Sequence, residues 1–140
     1  MSVKATVSRR NPYFLPRHRY LELVHLCLQY DDMVTERRAI LDSTNRAVQI
    51  REDAVSGGGQ GSPTESAGIR IAELSRKIDA IMACAEAAGG PRMAPRILRN
   101  VTKESSYDQL AAREAGPLPV GRRRFYEMRR RFFWLLDQEV

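Results

Sequence analysis

Apolar residues recur at helical spacing wherever this chain shows a pattern, and no stretch alternates polar and apolar positions as a strand would. From Tyr20 to Leu28 most sides are apolar, through Tyr20, Leu21, Leu23, Val24, Leu26, Cys27 and Leu28. A thin polar line of His18, Glu22, His25 and Gln29 remains, which predicts a largely buried helix. Pro16 suits the first turn of that helix, with Leu15 or Phe14 packed over its start. Tyr30-Asp31-Asp32 predicts a kink, after which Met33, Val34, Ile40 and Leu41 continue the helical pattern to about Asp42. Ser62-Pro63-Thr64-Glu65 has the form of a capped helix start, and Ile71, Leu74, Ile78, Ile81, Met82 and Ala85 form the seam of a second long helix. Gly89-Gly90-Pro91 predicts its end.

Residues 91–140 predict three further helices. Pro95 opens a short one carrying Ile97, Leu98 and Val101. Ser106-Tyr107-Asp108-Gln109 is a capping box before a helix with Leu110 and Ala111 inward, ending at Gly116. Pro117 to Gly121 is a stiff turn, and a helix of some 18 residues, roughly 27 Å long, follows it. The expected architecture is all-α. It has a flexible N-terminus (1–12), a long helical hairpin (13–90) with a flexible loop at 44–62, and a three-helix, helix-turn-helix-like module (91–140).

Composition leaves this picture standing. The chain of 140 residues is 43% hydrophobic and 29% charged, which suits one folded domain and argues against a disordered chain. The segment Gly57-Gly58-Gly59-Gln60-Gly61 has linker composition and is no phosphate loop, because no Lys-Ser/Thr pair follows it. The N-terminus carries Lys4, Arg9 and Arg10 but no apolar run, so neither a signal peptide nor a membrane span is expected. Cys27 and Cys84 are too few for a disulfide framework or a four-cysteine zinc site. Both fall on apolar faces, as buried small hydrophobes do.

Charge adds the functional signal. Of the net +6, +5 resides in residues 91–140, where 11 Lys/Arg face 6 Asp/Glu, so a single module carries the capacity to meet an anion. Six arginines fall in one ten-residue stretch, Arg122-Arg123-Arg124-Phe125-Tyr126-Glu127-Met128-Arg129-Arg130-Arg131, and Phe132-Phe133-Trp134-Leu135-Leu136 follows at once. At about 100° per residue, Phe125, Met128, Phe132, Leu135 and Leu136 share one face. Arg123, Glu127, Arg130 and Trp134 lie opposite, Arg124 and Arg131 flank them, and Arg129 falls near the apolar face, where it is expected to pair or snorkel. The aromatic end needs cover from the N-terminal hairpin or from a second copy.

A short helix, a capped helix, a turn and a basic helix is the order of a helix-turn-helix module, whose last helix enters the major groove. The expected nucleic-acid-binding residues are Arg122, Arg123, Tyr126 and Arg130 toward base edges, with Arg124 and Arg131 on phosphates. Arginine forks neutralise phosphate and can select bases. No catalytic, metal or cofactor site is expected. Glu22-x-x-His25 is half of a di-metal motif whose other half is missing, and neither cysteine has a convincing base.

Tyr13-Phe14-Leu15-Pro16-Arg17-His18-Arg19-Tyr20, Leu28-Gln29-Tyr30 and Arg124-Phe125-Tyr126 through Phe132-Phe133-Trp134-Leu135-Leu136-Asp137 resemble small phage and prophage proteins of Gram-positive bacteria. The C-terminal part is similar to late-transcription regulators of the RinA/ArpU type, whose ends resemble the promoter-reading region of sigma factors. The resemblance covers both ends of the chain and skips its middle. It implies a DNA-binding regulator of phage genes in the bacterial host that contacts RNA polymerase. From the residues themselves, the basic helix points to double-stranded DNA, the cysteine usage to a cytoplasmic protein, and the apolar N-terminal helices to a homodimer or docking surface. The Pro-Leu-Pro turn departs from the usual start of a recognition helix. Two alternatives use the same basic face: a non-enzymatic helical interaction protein anchored on Trp134, and a phage packaging or RNA-binding component.

Overall fold

The computed structural model describes residues 9–53 and 62–140, apart from the side chains of residues 48, 50–53, 62 and 63. Among the described residues the fold is all-helical. The elements are α1 (Arg17–Leu28), α2 (Tyr30–Asp53), α3 (Ser62–Lys103), α4 (Tyr107–Arg113) and α5 (Arg122–Glu139). None of them is long and apolar enough to cross a membrane. The glycine-rich linker at 57–61 and the side-chain cap expected from Ser62 lie outside the described residues.

Two packing units emerge: Met1–Tyr30 with Asp79–Val140, and Asp31–Ile78. In the first, α1 packs on α5. The expected boundary at residue 90 had grouped α1 with the second helix instead. Asn11 organises the turn before α1, its carboxamide oxygen accepting from the Tyr13 N–H at 2.8 Å. Pro16 sits one position before α1, and its carbonyl accepts the first helical bond, from Tyr20. Helix α1 buries Tyr20, Leu23, Val24 and Cys27 and leaves the His18, Glu22, His25, Gln29 line exposed. It stops at Gln29, just before the expected kink, where the backbone turns back to donate to Leu26.

Helix α2 runs to Asp53, so residues 44–53 are helical and not part of a loop. Thr44 to Asp53 contains neither glycine nor proline, and nothing in its chemistry stops a helix already started. Within the second unit, Arg70 forks onto Glu36 at 2.6 and 3.0 Å, and Arg37 donates to Ser75. Among its described residues, Met33, Leu74 and Ile78 are the buried apolar ones.

As expected, the first arm of α3 ends at Gly89-Gly90, where each glycine is required for a separate reason. Gly90 adopts φ 73° and ψ 176°, a region essentially reserved for glycine. Gly89 sits where an added Cβ would collide with the Ile97 side chain and lie 2.8 Å from Met93 Cβ. Pro91 then restarts the helix at once, four residues before the start expected at Pro95. A proline has no N–H to lose in a first turn and its φ is already helical. The restarted arm places Met93, Ile97 and Val101 in the core.

Candidate nucleic-acid interface

Helix α4 begins as its sequence demands. Ser106 accepts from the Gln109 N–H at 3.2 Å, and the Gln109 side chain accepts from the Ser106 N–H at 2.9 Å. It ends at Arg113, before the expected stop at Gly116. Ala115 takes the left-handed conformation, with φ 54°, and Gly116 follows it to donate to the Ala111 carbonyl. The turn from Glu114 to Gly121 is plugged by buried Leu118 and is longer than the three or four residues of a compact helix-turn-helix. Tyr107, the first residue of α4, ties that turn to α5. Its hydroxyl donates to the Val120 carbonyl at 2.8 Å, and its ring packs edge-on to Phe125.

The buried line of α5 is Phe125, Arg129, Phe132, Phe133 and Leu136. These positions follow one another at four, three, one and three residues, a helical stripe with an arginine at its second place. Met128 and Leu135, expected inward, are only half-buried, while Phe133, which the expected apolar face did not include, is 1% exposed. The face is therefore rotated toward Arg129. That residue is a core side chain, not a surface one. Its Nε donates to Asn100 Oδ1 and its terminal nitrogen to the Tyr20 hydroxyl, both at 2.8 Å, and the guanidinium lies 4.9 Å from the Phe133 ring centroid. Asn100 also donates to the Ser105 carbonyl, so one carboxamide fixes the end of α3 and meets the arginine. Asn100 and Tyr20 escaped the sequence reading because an apolar pattern does not reveal polar partners brought from distant helices.

The cover for the aromatic end comes from within the chain. Tyr13 packs edge-on to Trp134 at 5.7 Å, Tyr20 does the same to Phe133, and Arg19 pairs with Asp137 at 2.6 Å.

The expected site residues separate into three kinds. Arg123, Arg124 and Arg131 are exposed. Arg123 has only Glu127 nearby, at 3.8 Å, and neither Arg124 nor Arg131 has an acidic partner among the described residues. Arg122 is also exposed but engaged, paired with Asp108 and stacked 5.2 Å from the Tyr107 ring centroid. The bond to Asp108 raises its pKa further. Tyr126 and Arg130 are drawn inward. Tyr126 accepts the Tyr107 N–H at 3.4 Å, helping to cap α4, and Arg130, expected outward, is half-buried with its Nε enclosed and without a partner among the described residues.

Around the exposed arginines the backbone is also positive. Helix α5 has no acidic residue in its first turn and no side-chain cap, so Arg122, Arg123 and Arg124 crowd the positive end of the helix macrodipole. An anion there would relieve that repulsion.

The remaining chemistry is muted. Burial pushes the Cys27 thiol up to about 12 and the Cys84 thiol to about 11, which keeps both protonated and unreactive at neutral pH. Among the described residues no three His, Cys, Asp or Glu side chains converge as metal ligands would. An open groove of about 520 Å³ in the second unit is lined mainly by small side chains such as Ala39, Ser43 and Thr64, and Arg70 already occupies its one carboxylate, Glu36.

Fold and site together define an all-helical protein with an arginine-rich helix, one of whose arginines lies in the core. Comparison of the chain with family models, with curated proteins and with solved structures finds no match.

Proposed function

We propose that the protein binds duplex DNA through the outer face of the first half of α5, as a non-enzymatic transcription regulator of the phage type. One observation carries this. Arg123, Arg124 and Arg131 stand exposed and weakly compensated on a helix whose first turn has neither acid nor cap. Arg124 and Arg131 lie seven residues apart on one stripe, roughly 10 Å along the axis, a span that suits successive phosphate contacts across a major groove about 12 Å wide. On this reading the module is a variant of the helix-turn-helix, with an eight-residue turn before α5 in place of the compact one. Contact with RNA polymerase and the setting in phage late transcription rest on the resemblance of the two chain ends. A homodimer through the N-terminal helices is less well supported, because Tyr20, Leu23, Val24 and Cys27 of α1 are buried within one chain. The acidic-partner alternative also loses support, since its anchor Trp134 is half-covered by Tyr13.

The test is binding to a pool of random duplexes at about 50 mM salt, where electrostatic contacts are strongest. The unaltered protein retains duplex, and Arg124→Glu with Arg131→Glu abolishes retention without loss of helicity. These two positions are preferable to Arg130, whose half-burial would confound folding with binding. An unaltered protein that retains no duplex overturns the proposal. Enrichment of one sequence from the pool supports a regulator over a sequence-blind packaging component.

A further inference from the structure

The restarted arm of α3 has a charge pattern of its own. Between Pro91 and Lys103 every charged residue is basic: Arg92, Arg96, Arg99 and Lys103. Their spacings of four, three and four place all of them within about 60° of one another on an α-helix. That stripe is turned away from the buried line of Met93, Ile97 and Val101. Gly90 makes it possible. The break there lets Pro91 begin a new helical phase, so the stripe belongs to the second arm alone.

We infer that this stripe is a second phosphate-contact line for the same duplex, so that α3 holds the DNA backbone while α5 enters the groove. The inference rests on the proposed DNA binding by α5 and deepens it. Helices α3 and α5 touch through the Asn100–Arg129 bond, and those residues are the chain neighbours of Arg99 and Arg130. That one side-chain bond of 2.8 Å ties the two basic helices together, and a duplex, which carries one phosphate charge per about 1.7 Å of its axis, has charge enough for both. Arg92 is exposed and Arg99 half-exposed, and neither has an acidic partner among the described residues. Arg96 is different. Glu114, at the end of α4, holds its guanidinium fork at 2.6 and 2.7 Å and is itself held below the usual carboxylate range by that contact. Glu114 therefore withholds one cation from the stripe, which makes it an internal competitor for the phosphate position.

Charge complementarity selects a regular polyanion as the occupant. Basic side chains repeating along about 16 Å of helix, with Arg92 and Arg99 lacking an acidic partner among the described residues, match a repeating phosphate backbone, whereas an acidic protein patch would have to reproduce the same linear spacing. Stripe contacts of this kind carry no base information and act through counterion release.

The experiment measures duplex affinity of the full chain against salt concentration. Arg92→Gln with Arg99→Gln lowers the salt slope by about 2, weakens binding on the order of 10- to 100-fold at 0.1 M salt, and does so equally for selected and unrelated sequences. Arg92→Gln alone, at an exposed position that folding does not need, lowers the slope by about 1. Glu114→Gln works in the opposite direction, releasing Arg96, steepening the slope by about 1 and tightening binding about tenfold. Stripe variants that keep the wild-type slope while Arg124→Glu with Arg131→Glu abolishes binding overturn this inference and leave the proposed function intact. No duplex binding by the unaltered protein overturns both.

Discussion

Replacing Arg129 by methionine separates the structural arginine from the presenting ones. The substitution keeps an unbranched side chain of similar length in the core but removes two hydrogen bonds of 2.8 Å, one to Asn100 and one to the Tyr20 hydroxyl. Hydrogen bonds from a charged donor contribute about 1.5–3 kcal/mol each, and the Asn100 oxygen, on a residue 7% exposed, would then sit in the core without a donor. Against this, methionine removes a guanidinium that is 6% exposed and has no carboxylate partner among the described residues, and relief of that desolvation offsets part of the loss. The net expectation is a destabilisation of about 2–3 kcal/mol, which for a chain of this size lowers the thermal midpoint by roughly 8–12 °C. Arg129→Ala adds a cavity and is expected to cost about 3–5 kcal/mol. Circular dichroism melts give the midpoint. Duplex binding measured well below it is expected to keep the wild-type affinity and salt slope. A variant that melts within about 1 °C of wild type but loses affinity as Arg124→Glu with Arg131→Glu does would refute the assignment of Arg129 to the core.

The glycine pair and the acidic partners of exposed arginines give two further expectations. Gly90→Ala meets no atom but must hold φ 73°, so it destabilises by about 1–3 kcal/mol through the backbone alone, whereas Gly89→Ala destabilises by a similar amount through collision with Met93 and Ile97. Ile97→Val, which removes the colliding methyl, partly rescues the second variant and not the first; equal rescue in thermal melts would refute the distinction. Glu36 and Glu114 are held below their ordinary pKa by hydrogen bonds from Arg70 and Arg96, so the unfolded chain takes up their protons first on acidification. Their contribution is present above the ordinary glutamate value of about 4.3 and is lost as pH falls through the lower folded value, so the midpoint of Glu36→Gln declines less steeply than wild type between about pH 5 and 3.

The sequence makes helix identity legible where the signal is local. Ser106 and Gln109 are three residues apart, and the capping box they spell is the one that forms. The same holds for the exposed polar line of α1, which needs only the helical period. Punctuation can carry two meanings at once. Gly89-Gly90-Pro91 reads as a stop, and the first arm of α3 does end there; the same glycine-proline step also starts the next arm at once, which the stop signal alone does not show. Residues 44–53 read as loop because they lack an apolar stripe, but a helix already nucleated needs no such stripe to continue.

The rotation of α5 has a more general cause. A stripe drawn from hydrophobicity must avoid an arginine, so it settles on Met128 and Leu135 and leaves Phe133 out. Once Arg129 is allowed a buried position, Phe125, Arg129, Phe132, Phe133 and Leu136 form the better helical line, and every large aromatic of the block except Trp134 enters the core. What permits this is remote from α5: the hydroxyl of Tyr20 on α1 and the carboxamide of Asn100 on α3. The rotation also changes the outer face. It draws Arg130 partly inward and leaves Arg124 and Arg131 as the exposed pair, so the chemistry presented to an anion is set by a buried contact that local sequence does not encode. The same bond joins α5 to the basic arm of α3. The side chain that takes one arginine out of the surface is thus also a contact between two basic helices.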